Sequence, residues 1–175
     1  MILTGCDDVL TTIKLEPVQE DRILGAWSEP DSPDTFDIER HENGYRIASH
    51  DPNGSGDPID FTLARAGDTL FMQFRETCAN HVFSYDGDTR TCYKLSRVEL
   101  GTNEFTVYSV GLEGFLKQSS KGAVKVDHKI SRSVSKDGTN TTCVLIEGTA
   151  RDLSAWLAAY PKEAYDDPAR VVRAK

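Results

Sequence analysis

Residues 36–47 read FDIERHENGYRI, and the alternation within them decides the fold. Phe36, Ile38 and Arg40 fall on one side of a period of two, with Asp37, Glu39 and His41 on the other. Successive side chains of a strand point to opposite faces, so this is a strand with one wet face. Asn43-Gly44 supplies a two-residue hairpin turn, after which Tyr45 and Ile47 resume the alternation. Working outward, Ile59, Phe61 and Leu63 repeat the pattern, Ala66-Gly67-Asp68 turns the chain, and Leu70, Met72 and Phe74 follow. Further strands are predicted around 80–85, 92–100, 105–110, 124–130 and 143–147. About eight or nine short strands between Gly, Asp and Asn turns predict a mainly β protein, an antiparallel barrel or a strongly curved sheet.

Two helices are predicted within this meander. The weaker covers 112–119, where Leu112, Phe115 and Leu116 share a helical face. The stronger is C-terminal and amphipathic: Thr149 caps it, Asp152 sits three residues on, and Leu153, Trp156, Leu157 and Tyr160 recur before Pro161 stops the run. That stripe is expected to pack against the outside of the sheet.

The chain has 175 residues, 38% of them hydrophobic and 27% charged, which suits one globular domain with a sizeable core. Its net charge of -8, with no basic stripe, argues against nucleic acid or anionic headgroups as partners. No metal-binding, phosphate-binding or nucleophile motif is present, and His41, His50, His81 and His128 are scattered through different elements. Asp86 and Asp88 are paired carboxylates of the kind an enzyme on envelope glycans or lipids would use, the third reading, and are equally good turn residues, while the oxygen-rich loop 51–57 lacks the acidic twelfth position of a calcium loop, which is Thr62. The expectation is a protein that is not an enzyme and carries no cofactor and no metal.

Leu3-Thr4-Gly5-Cys6 has the form of a bacterial lipobox, which implies cleavage before Cys6 and acylation of its thiol. Only Met1, Ile2 and Leu3 precede it as an apolar run, so residues 1–5 read as the remnant of a signal that begins upstream. Acyl chains contribute roughly 0.8 kcal/mol per buried methylene, enough for two or more to hold a protein on a membrane. Residues 6–22 are expected to be a lipid-anchored tether and 23–175 a single barrel domain. The expected location is the bacterial envelope, on the periplasmic side.

Gly25-Ala26-Trp27 resembles the Gly-x-Trp signature of lipocalins, in which the tryptophan closes one barrel end beneath an arginine; that likeness gives the role of cover to Arg151. The succession ILGAW, FDIERHENGYRIASHDPNG, FTLARAGDTLFMQF, YKLSRVEL, FTVYSVGLEGFLK and GTARDLSAWLAAY, with a short charged tail, is similar to a family of uncharacterised bacterial lipoproteins with lipocalin-like barrels. The resemblance implies an anchored lipocalin-like β-barrel and no catalytic residues.

Phe36, Ile38, Tyr45, Ile47, Phe61, Leu63, Met72 and Phe74 are expected on the inward faces, where a barrel of about eight strands holds one small ligand. Aromatic and methionine walls suit a fatty-acyl or isoprenoid molecule with a neutral or hydroxylated head. The alternative is a filled barrel whose rim docks an envelope enzyme or assembly complex. In an oxidising compartment one bridge is expected, Cys78 to Cys92 across a turn, with Cys92 to Cys143 as the other pairing.

Overall fold

The computed structural model describes residues 9–50, 56–77, 91–134 and 140–174. Among the described residues twelve strands form one sheet: β1 (Val9–Thr11), β2 (Pro17–Val18), β3 (Gly25–Ser28), β4 (Thr35–His41), β5 (Gly44–His50) and β6 (Ile59–Ala66), followed by β7 (Thr69–Thr77), β8 (Thr91–Leu100), β9 (Glu104–Ser109), β10 (His128–Val134), β11 (Asn140–Ile146) and β12 (Ala169–Arg173). Two helices, α1 (Leu112–Ser120) and α2 (Ala150–Ala159), complete the layers.

Eight of the strands close on themselves. Starting at β8, the order runs through β7, β6, β5, β4, β3, β12 and β9, and β9 pairs back onto β8. Every neighbour in this ring is antiparallel. The protein is therefore mainly β, a closed eight-stranded antiparallel barrel with extra strands and two helices. Closure leaves no edge within the ring, the liability that an open sheet must cover by other means.

The ring exists because two strands change partner part-way along. β8 pairs with β1 at Tyr93 and Lys94, then with β9 from Ser96 to Leu100. β6 pairs with β5 from Ile59 to Phe61, then with β2 at Leu63 and Ala64. β1 runs parallel to β11, which pairs with β10, so a flap of three strands extends the barrel wall.

Two apolar clusters follow from the period of two. The inner one takes Trp27, Ile38, Tyr45, Phe61, Leu63, Leu70, Met72, Val98, Phe105 and Val171, and all eight ring strands contribute to it. The outer one takes Ala64, Ala66, Phe71 and Leu95 from the opposite faces, with Phe115 of α1 and Leu153, Trp156 and Leu157 of α2. The stripe read from residues 153–160 thus packs outside the barrel, as expected. Its cap is also formed: Thr149 Oγ1 accepts from the Asp152 backbone N–H at 3.2 Å and donates to the Asp152 carboxylate at 2.6 Å.

Three expectations change. From Val9 onward the segment read as a tether is part of the fold: Val9, Leu10, Ile13 and Leu15 are buried. Gln73, 2% exposed, pins it there by accepting from Leu15 N at 2.9 Å and donating to Leu15 O at 3.1 Å. The tail read as charged and short supplies β12, which fills the gap between β3 and β9. The hairpin turn is Glu42-Asn43, not Asn43-Gly44, with Glu42 at φ 50° and Gly44 already paired with His41. Gly44 serves a different need, since a Cβ there would strike the Phe61 carbonyl.

Candidate functional site

All eight residues expected to line the interior come together in the inner cluster. Ile38, Tyr45, Phe61, Leu63 and Met72 are buried in it, and Phe36, Ile47 and Phe74 pack against it half-buried. The rings stack across the strands: Tyr45 on Phe61 at 5.3 Å between centroids, and Phe61 against Phe74 at 5.6 Å. Aromatic pairs at such spacing contribute about 0.5–1.5 kcal/mol beyond their burial.

The two ends of the ring differ. One is plugged by a single 3-10 turn, Asp21–Ile23, that precedes β3. Ile23 is 0% exposed, its carbonyl accepts from Trp27 Nε1 at 2.8 Å, and Trp27 meets Phe105 edge-on at 4.7 Å. The Tyr45 hydroxyl accepts from Glu20 N at 2.6 Å, and Arg40 lies over the Tyr45 ring while pairing with Asp21. Glu20 caps the turn and grips the Arg22 guanidinium through both oxygens, at 2.8 and 2.7 Å. The hydrogen bonds from Arg22 hold the Glu20 carboxyl below its ordinary pKa.

The arginine over the tryptophan is Arg173. Its guanidinium carbon stands 3.9 Å from the Trp27 ring centroid, and it donates to the Leu24 and Arg22 carbonyls. Arg151, to which the lipocalin likeness gave this place, is exposed on the first turn of α2, outside the barrel. Gly25 is needed for the same seal: its φ is +119°, and a Cβ would meet the Arg173 guanidinium. Among the signals in the tail, only Val171 and Arg173, two apart, pointed to an inward strand face.

The opposite end is where β5 leaves, β6 enters and β7 leaves. Ile59 pairs with Ile47 and so shares the inward face, yet it is 52% exposed. Phe36 of β4 and Phe74 of β7 are half-buried on the same inward face. Ser49, opposite Phe36, and Ser96 with Ser109, opposite each other, add hydroxyls to this face. Segments 51–55 and 78–90, which leave from this end, lie outside the described residues. Ile59 was read as part of the alternation and not as a binding residue, because period alone does not distinguish the rim from the core.

A cleft of about 270 Å³ lies beside the plugged end, lined by Arg22, Arg65, Asp68, Leu70 and the end of β8. Of its three arginines, Arg22 and Arg65 face Glu20, at 2.7 and 3.7 Å, and Arg97 pairs with Glu99 at 2.8 Å. A cleft of about 320 Å³ lies on the outer wall between the β4–β5 hairpin and the segment around Lys14. Among the described residues no three His, Cys, Asp or Glu side chains gather as a metal site, and no helix is long and apolar enough to cross a membrane.

Cys6 and Cys78 lie outside the described residues. Cys92 is disulfide-bonded and Cys143 is a buried thiol, so the Cys92 to Cys143 pairing is not made. Compared with known protein families, curated proteins and solved structures, the chain matches none.

Proposed function

We propose that the chain is a membrane-anchored envelope lipoprotein whose barrel takes one small apolar or amphipathic molecule through the end opposite the plug. One observation carries this reading: Ile59, on the inward face and paired with the half-buried Ile47, is 52% exposed. Exposing a large aliphatic side chain forgoes about 1.5–3 kcal/mol of burial, which a bound acyl or prenyl chain would restore. The hydroxyls of Ser49, Ser96 and Ser109 suit a neutral or hydroxylated head. Anchoring rests on the Leu3-Thr4-Gly5-Cys6 sequence.

The test is displacement of an environment-sensitive fluorescent fatty acid from the full chain, repeated with Ile47→Trp to fill the mouth. Saturable binding that Ile47→Trp weakens supports the reading. Binding no tighter than to a control barrel would sink it. The stacked Tyr45, Phe61 and Phe74 rings favour the second reading, a filled scaffold that docks an envelope enzyme or assembly complex, and that reading then takes over. For the anchor, cells given labelled palmitate should label the protein, and Cys6→Ser should abolish the label; a variant that keeps it refutes acylation at Cys6.

A further inference from the structure

The cleft on the outer wall has a specific origin. Because β6 changes partner from β5 to β2, the β4–β5 hairpin and the chain around Lys14 stand apart on either side of it. The floor between them is the outward face of β6, β7 and β8, where Thr62 pairs with Gln73 and Arg75 pairs with Tyr93. Lys14, Glu42, Thr62, Arg75, Thr91 and Tyr93 line the resulting space of about 320 Å³. That volume is at the lower end of what small-molecule sites occupy.

Its charges do not cancel. Asp60 is held by Arg46 through two hydrogen bonds, at 2.7 and 2.9 Å, which keep its carboxyl below the ordinary pKa. His41 Nε2 lies 2.7 Å from Arg46 Nη2. A guanidinium can only donate, so this ring nitrogen is the acceptor of the pair. Glu42 is on the rim, 82% exposed. Arg75 makes one long hydrogen bond, 3.5 Å to Thr91 Oγ1, and neither it nor Lys14 has a carboxylate partner among the described residues. Two cations without a carboxylate partner among the described residues thus line one concavity in a protein of net charge -8.

We propose that this cleft binds a small anionic molecule, a carboxylate or phosphate joined to a ring-sized body. Lys14 and Arg75 take the acid group, the Tyr93 ring carries the body, and the Thr62 and Thr91 hydroxyls hydrogen-bond its polar edge. Arg75 offers a planar fork that matches an oxyanion, and Lys14 adds a mobile point charge. The site is on the opposite face of the wall from the barrel interior, so it stands whether or not the barrel takes an apolar ligand.

The experiment is calorimetric titration of the full chain with glucose 6-phosphate, glucuronate, inorganic phosphate and glucose. Expected is saturable binding of glucose 6-phosphate or glucuronate, weaker binding of inorganic phosphate, and none of glucose. Lys14→Gln and Arg75→Gln are exposed changes, and each is expected to weaken the acid by roughly tenfold or more. Tyr93→Leu is expected to weaken the sugar acid and leave inorganic phosphate unchanged. Arg132→Gln, a cation removed from the flap strand β10, is the control and should change nothing. No binding of either sugar acid, equal affinity for inorganic phosphate and glucose 6-phosphate, or equal losses from Arg132→Gln and Arg75→Gln would each overturn the proposal.

Discussion

The two ends of the barrel are built from the same alternating strands and have been finished in opposite ways. At one, a 3-10 turn, an indole and a guanidinium stack in depth, and Ile23 and Trp27 reach 0% and 1% exposure. At the other, the same inward register runs out to Ile59 at 52%. The register alone therefore does not decide whether a barrel end is sealed. What decides it is whether a neighbouring segment brings side chains to lie across the opening, as residues 20–24 and 173 do.

That contrast predicts unequal damage from substitutions at the two ends. Trp27→Ala removes the largest plug side chain and should cost about 3–5 kcal/mol, read as a fall in the denaturant midpoint at unchanged slope. Arg173→Gln leaves the indole in place but loses its cationic cover and two hydrogen bonds to carbonyls, and should cost about 1–3 kcal/mol. A loss as large as that of Trp27→Ala would mean that the arginine positions β12 as well as covering the ring.

Glu20→Gln tests the cap of the plug. The folded carboxyl is depressed from 4.5 by its bonds from Arg22, so its contribution is complete above that value and fades as pH falls through the lower folded pKa. The variant should be less stable than the parent near neutrality, by about 0.5–1 kcal/mol, with the two converging in acid. A difference that persists unchanged into acid breaks the assignment. Ile59→Ser, at the other end, should leave stability within about 0.5 kcal/mol and lower affinity for the fatty-acid probe. If it destabilises as Arg173→Gln does, both ends are structural and the mouth is no mouth.

Much of the ring was readable because its strands lie in consecutive hairpins. From Phe36 to Phe74 the alternation placed every inward residue on the correct face, since a slip of one would expose Ile38, Phe61 and Met72 together. The eight expected lining residues were found on that basis. The tryptophan of the seal was legible in Gly25-Ala26-Trp27, but its arginine was placed at Arg151 instead of Arg173, because β12 pairs with β3 some 145 positions earlier, and five residues are too few to declare a period. The same is true of Val9–Val18: Ile13 and Leu15 alternate with Lys14 and Glu16, but a polar composition and Pro17 masked a segment that Gln73 holds by its backbone. The outer cleft was equally out of reach, since Arg75 and Tyr93 meet across β7 and β8 while Lys14 reaches them only through the long-range docking of the segment that Gln73 holds.

The late position of β12 also bears on how the chain matures. Strands β3 to β9 can pair in hairpins as they leave the ribosome, but the slot between β3 and β9 stays empty until residues 169–173 emerge. Until then the sheet is open, with two raw edges and an apolar inner face, the kind of intermediate that pairs with other chains. This strand is therefore a latch that closes only once residues 169–173 have emerged, and a nascent chain stalled before it would need a holdase to keep the open sheet from joining its neighbours.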